Sequence, residues 1–272
     1  AMSVAVRATS VEIDSRVLVL LRAVIVSLAI LPVLPWIWGK LRISRPWLHV
    51  SRGALIGIAT HLGFYALVNL PLATAAVLFF TAPIFATLLA ILTQGEQVGP
   101  RRWAAIGAGF AGAMIILRPG FQDMHPAMIM ALLSSACFAL ALNQSRALAE
   151  ADGPTAAYVS SVVMTVLVSL PVAMPHWSLP TSWLVWGAVA IVVLGGVSRG
   201  IADIQAYRYA DASILAPFTY LRLVFVGLGG YFFFAEVPDR YTWIGAAIIV
   251  AATLYITQRE RHLAKSRNSD AA

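Results

Sequence analysis

Arg222 makes the largest demand on its surroundings. It lies near the middle of an apolar run from Ala212 to Ala235, with Thr219 and Tyr220 one helical turn away. An arginine so placed can hold a carboxylate or another anion through the planar fork of its guanidinium, or it can clamp neighbouring helices through an ion pair or backbone carbonyls. Arg199 and Asp203 stand four residues apart on the run from Trp183 to Tyr207 and so share one helix face. Asp203 is the deepest carboxylate in the chain, which makes it the proton-coupling candidate, or a ligand for a substrate amino group. The simpler reading is that Arg199 neutralises Asp203 and locks helix packing. His61 and Tyr65, again four apart, face one side of the run from His49 to Asn69. His61 can titrate near neutral pH, or stay neutral and bond a nearby carbonyl. Asn143, with Gln144, is polar enough to meet a substrate or to tie helices together. Arg22 is expected to snorkel to the outer interface.

Polar groups matter here because their setting is so apolar. Of the 272 residues, 60% are hydrophobic and 11% charged, and the mean hydropathy is +0.82. Nine apolar runs follow one another: Arg16 to Trp38, His49 to Asn69, Leu72 to Thr93, Arg102 to Leu117, Pro126 to Leu148, Thr155 to Met174, Trp183 to Tyr207, Ala212 to Ala235 and Tyr241 to Thr257. Roughly 20 apolar residues suffice for a helix to cross a ~30 Å hydrocarbon core while satisfying its own backbone. The sequence therefore predicts an all-α polytopic membrane protein whose first partner is the lipid bilayer. A net charge of +7 would suggest nucleic acid in a soluble protein. Here the cations sit in short connections as topology signals, so no nucleic-acid partner is expected. The single cysteine, Cys137, excludes an intrachain disulfide. An enzyme would need a catalytic set, and the chain has no His-Glu-x-x-His, no paired helical aspartates and no Gly-Lys-Ser/Thr phosphate loop. Enzyme function, metal and cofactor are accordingly not expected.

Positive charge orients the bundle. One set of alternate connections holds Lys40, Arg42, Arg45, Arg52, Arg101, Arg102, Arg146, Arg208, Arg259, Arg261, Lys265 and Arg267; the other holds Arg7, Arg16, Arg118 and Arg240. Twelve against four predicts a multi-pass protein of the inner (plasma) membrane with a cytoplasmic C-terminus. An odd number of spans would then leave residues 1–15 outside. The apolar stretch Ala1 to Val6, followed by Arg7, reads as the outer end of a first helix that begins before Ala1. Trp36, Trp38, Trp47, Trp177, Trp183 and Trp186 fall near run ends, as interfacial anchors do.

The chain also repeats itself. Ala73-Thr74-Ala75 opens a run closed by Glu96, then Pro100, Trp103 and Gly107-Ala108-Gly109. Ala212-Ser213 opens a run closed by Glu236, then Pro238, Trp243 and Gly245-Ala246-Ala247. The spacings, 23 residues from Ala73 to Glu96 and 24 from Ala212 to Glu236, point to a duplication. Units of five helices would be inverted relative to each other, an arrangement secondary transporters use to build a midplane site. The expected division is a first repeat over 1–122 with a truncated first helix, a second over 123–258, and a disordered cytoplasmic tail over 259–272.

The segments Phe79-Phe80-Thr81-Ala82-Pro83, Gly95-Glu96-Gln97-Val98-Gly99-Pro100-Arg101-Arg102-Trp103 and Leu117-Arg118-Pro119-Gly120 resemble the first half of an EamA-type protein of the drug/metabolite transporter superfamily. Ala216-Pro217-Phe218-Thr219-Tyr220-Leu221-Arg222-Leu223-Val224 and Ala235-Glu236-Val237-Pro238-Asp239 resemble its second half. The resemblance implies ten helices in two inverted halves with both termini cytoplasmic, and a central cavity lined partly by the first helix. It implies transport of amino acids, other metabolites, S-adenosylmethionine, riboflavin or drugs, and it makes the two glutamates fold markers. The function expected is a secondary carrier for an anionic or zwitterionic, amino acid-like small-molecule substrate, with room for a homodimer. The alternatives are an uptake carrier for S-adenosylmethionine or a vitamin, or a non-transporting structural membrane protein if the first helix is absent.

Overall fold

The structure, a computed structural model, describes residues 2–94, 100–117, 125–209 and 212–270; the side chains of 87, 90–94, 101–102, 146, 199–209, 212–222, 256–257 and 259–270 lie outside that description. Among the described residues there is no strand. The helices are α1 (Met2–Thr9), α2 (Ser15–Ile30), α3 (Leu34–Ile37), α4 (Pro46–Asn69), α5 (Leu72–Phe79), α6 (Ala82–Gln94), α7 (Pro100–Leu117), α8 (Pro126–Ala173), α9 (Trp183–Tyr209), α10 (Ala212–Phe234) and α11 (Arg240–Asp270). Among the described residues, three stretches are long and apolar enough to cross a membrane: Ser15–Lys40, Pro126–Ser145 and Ala147–His176. Leu72–Ala86, Trp103–Leu117, Trp183–Ser198 and Leu223–Phe234 are shorter apolar stretches.

The helix boundaries follow from local chemistry. Asp14 caps α2 by accepting the Arg16 N–H, and Pro46 opens α4 at a position where its missing N–H is no loss. Pro32 and Pro35 carry the α2 line through short 3₁₀ turns to Lys40. The runs Pro126 to Leu148 and Thr155 to Met174 are the two helical halves of α8, separated by non-helical backbone at Gly153 (φ 84°, ψ 160°), and both halves lie against α4. Only glycine adopts that φ readily, and Pro154 disfavours α geometry in the residue before it.

One expectation changes. The run Leu72 to Thr93 is not one helix: it breaks between α5 and α6 at Phe80–Thr81. Pro83 is the cause, since it has no N–H for the Phe79 carbonyl and its ring crowds that oxygen. The line of α11 runs on over residues 259–270 as helix backbone. Gln, Arg, Glu, Leu, Ala and Lys are strong helix formers, and extending an existing helix needs no new nucleus.

Helices pack where small residues let backbones approach. α4 lies along both halves of α8, with Gly57 over Thr165 and Val168 and Gly63 over Ser134. α2 packs on α8, α1 on α9, α5 on α10 and α7 on α11. Leu18, Leu20, Leu72, Leu78, Ile84, Leu148 and Ile249 are fully buried between them. Trp36, Trp38, Trp47, Trp177 and Trp183 project from the bundle as interfacial anchors would. Trp186 instead folds back and donates its indole N–H to the Pro180 carbonyl at 3.0 Å.

Candidate transport pathway

Polar side chains within the bundle form three groups. The first lies among α2, α4, α8 and α9. His61 Nε2 and Ser169 Oγ stand 2.7 Å apart and join α4 to α8, so the partner of this histidine is a hydroxyl rather than the expected carbonyl. Tyr65, one turn on, packs its ring against the core, and its carbonyl accepts from Asn69 Nδ2 at 2.8 Å. The two residues share a helix face, but no described contact joins them. Asn143, half-buried in α8, is engaged in a polar contact. Arg22 does not reach the interface expected of it. Its guanidinium lies against Gly196 near the middle of α9, where a Cβ would stand 3.0 Å from both Nε and Nη2. Glycine at 196 thus makes room for an intramembrane cation.

The second group is at the end of the bundle that carries the α4 N-terminus. His49, 3% exposed, places Nε2 3.0 Å from Asp152 Oδ2 and Nδ1 2.7 Å from Ser160 Oγ. Asp152 Oδ1 accepts the Ser44 N–H at 2.9 Å. One turn further along α4, Arg52 donates to Ser145 Oγ and Ser161 Oγ and to the Ala157 carbonyl. Every partner flanks the Gly153 bend. The network therefore fixes the start of α4 against the elbow of α8.

The third group is at the opposite end. Arg7 pairs with Glu236 through Nη1 and Oε1, and donates to the Leu70 carbonyl at 2.8 Å. Glu236 Oε2 accepts the Leu72 N–H at 2.7 Å. Nearby, Glu12 accepts the N–H groups of Ser182 and Thr181 ahead of α9, which hold its carboxyl below the usual carboxylate range.

Arg222, Tyr220, Thr219, Arg199 and Asp203 fall on α9 and α10, and their side chains lie outside the described residues. The His49–Asp152 and Arg7–Glu236 pairs are absent from the sequence reading, although Glu236 appears there as a fold marker. Their partners are 103 and 229 residues apart, and no local spacing announces them.

Long apolar helices, broken at Phe80–Thr81 and tied by polar pairs at both ends, define a multi-pass membrane carrier. The EamA-like transporter family model matches residues 1–118 and 125–258, and the chain belongs to that family. It is 32% identical over 246 residues to an S-adenosylmethionine uptake transporter of Rickettsia prowazekii (strain Madrid E), covering 89% of this chain and 82% of the relative. It is 32% identical over 254 residues to a riboflavin transporter of Vibrio cholerae, covering 88% and 84%, and 33% identical over 226 residues to a riboflavin transporter of Rhizobium johnstonii, covering 82% and 74%. A solved structure described only as "Crystal structure of protein" superposes with a TM-score of 0.63 at 20% identity, covering 94% of this chain and 93% of that one, a likeness of fold alone. The protein is a secondary transporter of small metabolites and not an enzyme.

Proposed function

We propose that the chain takes up S-adenosylmethionine or a close zwitterionic analogue across the inner membrane, by alternating access between halves 1–122 and 123–258. The observation that carries this reading is the likeness, along 89% of the chain, to a carrier named for S-adenosylmethionine uptake. That substrate carries the ammonium and carboxylate of an amino acid, as the expected substrate does, together with a sulfonium that leaves it a net cation. The packing of α1 on α9 and of α4 on the first half of α8 supports inverted halves, because these are equivalent contacts if α1 corresponds to the start of α8 and α4 to α9. The twelve-to-four charge bias supports placing the Arg7 end outside and the C-terminus in the cytoplasm.

Riboflavin is the second reading, favoured by relatives of the same identity. The two differ in chemistry: S-adenosylmethionine carries a carboxylate and riboflavin does not. Purified full-length protein in liposomes is expected to accumulate labelled S-adenosylmethionine saturably and to release it on counterflow with unlabelled substrate. Counterflow of riboflavin alone would establish the second reading, and counterflow of neither would refute both. Arg222 is proposed as the carboxylate anchor, since its ammonium replacement keeps charge but loses the fork. Arg222→Lys should weaken S-adenosylmethionine affinity by roughly tenfold, equivalent to the loss of one charge-assisted hydrogen bond. Its melting temperature should not move, and unchanged affinity would reject the anchor.

A further inference from the structure

One carboxylate gathers three separate stretches of chain at the Arg7 end. Glu236 follows α10 after Ala235, whose φ of 52° turns the backbone sharply. Its Oε1 meets Arg7 of α1, and its Oε2 takes the N–H of Leu72 at the start of α5. Arg7 in turn donates to the Leu70 carbonyl and lies 5.0 Å from the Phe234 ring centroid. The side chains are only 25% and 12% exposed, so each charge relies on the other: a mostly desolvated ion is tolerated only when paired and hydrogen-bonded. Gly230 makes the seat, since a Cβ there would stand 2.8 Å from Glu236 Oε2. Arg7, Leu70 and Leu72 belong to the first half of the chain, and Phe234 and Glu236 to the second.

The other end of α5 is the break at Phe80–Thr81. There Leu78 O accepts from the Thr81 hydroxyl at 2.6 Å and N–H at 3.1 Å and from Ser135 at 3.2 Å, and Phe80 O accepts from the Thr253 hydroxyl at 3.4 Å. α5 is only 8 residues long. It is thus a short rigid piece between a polar tie that joins the two halves and a discontinuity whose bonds tolerate reorientation. Glu12 also ties the two halves at this end, joining the α1–α2 turn to Thr181 and Ser182 ahead of α9, but its contacts are with exposed backbone.

We propose that the Arg7–Glu236 pair is the outer gate of the carrier, closed in this structure, and that it opens by movement of α5 about Phe80–Thr81. The inference rests on the carrier reading and adds the event that admits substrate from outside. Val4 provides the reporter. It lies three residues before Arg7, and its Cγ2 packs against Gly229, where a Cβ would stand 2.7 Å away. In full-length Cys137→Ser protein in vesicles, Val4→Cys should react slowly with a membrane-impermeant methanethiosulfonate added outside. Glu236→Gln and Arg7→Gln should each speed that reaction by roughly tenfold or more, the weight of a lost charge-assisted bond. Labelling that ignores both single substitutions would overturn the gate, and since it needs no substrate it decides the matter even where uptake fails. A second measurement removes dependence on the charge variants: cross-linking Arg7→Cys to Glu236→Cys with a short bifunctional thiol reagent should stop uptake, and reduction should restore it. A cross-linked protein that transports at the normal rate would also overturn the gate.

Discussion

Asp152→Ala is expected to lower the melting temperature of the purified protein by roughly 10 °C, the scale for leaving two buried hydrogen-bonding groups without a partner in a chain of this length. Asp152 is 5% exposed, and its two oxygens have separate duties: Oδ2 meets His49 Nε2 and Oδ1 takes the Ser44 N–H. Alanine removes both, leaving a buried imidazole nitrogen and a backbone N–H without their partner. Asp152→Asn retains an oxygen for Ser44 and should lose about half as much. His49→Ala should match Asp152→Ala, because it strands the carboxylate instead. The double variant should cost far less than the sum, since two groups in one network are not independent. Thermal unfolding in detergent measures all four proteins. A Tm within ~2 °C of wild type for Asp152→Ala would mean that the α4 start does not depend on this pair.

The network explains why such a feature escapes a reading of the chain. Asp152-Gly153-Pro154 reads as a connection between two runs, and His49 as the first residue of another; nothing in either neighbourhood specifies that they meet. What periodicity and length do carry is the helical course, because each run must satisfy its backbone within itself. The exception at Phe80–Thr81 was in principle readable: Pro83 lies inside the run Leu72 to Thr93, but summed hydropathy does not register a missing N–H. Arg22 was misplaced for a related reason. The seventh residue of its run, it is within ordinary reach of the interface, and the absence of a Cβ at Gly196, 174 residues later, opens the inward position. The same holds for Glu236, whose position in the repeat was visible while its partner Arg7 was not.

The glycine-rich repeat units make the same distinction measurable. Gly107-Ala108-Gly109 and Gly245-Ala246-Ala247 look equivalent as close-packing signals, yet their surroundings differ. Nothing stands within 4 Å of a Cβ on Gly107. On Gly109 a Cβ would meet Ile84 Cδ1 at 2.1 Å, the free end of a side chain that can rotate away. On Gly245 it would meet the Gly112 carbonyl oxygen at 2.7 Å, and Ile116 Cγ1 at 2.4 Å. Backbone cannot yield there without separating α7 from α11, so Gly245→Ala should destabilise by about 1–3 kcal/mol, seen as a fall of several degrees in Tm. Gly245→Leu should give little folded protein. Gly109→Ala should stay within ~2 °C of wild type, and Gly107→Ala nearer still. Removing the clashing Cγ1 in Gly245→Ala/Ile116→Ala should recover only part of the loss, measured against Ile116→Ala alone. Full recovery would show that Ile116, rather than the Gly112 carbonyl, sets the spacing of the two helices.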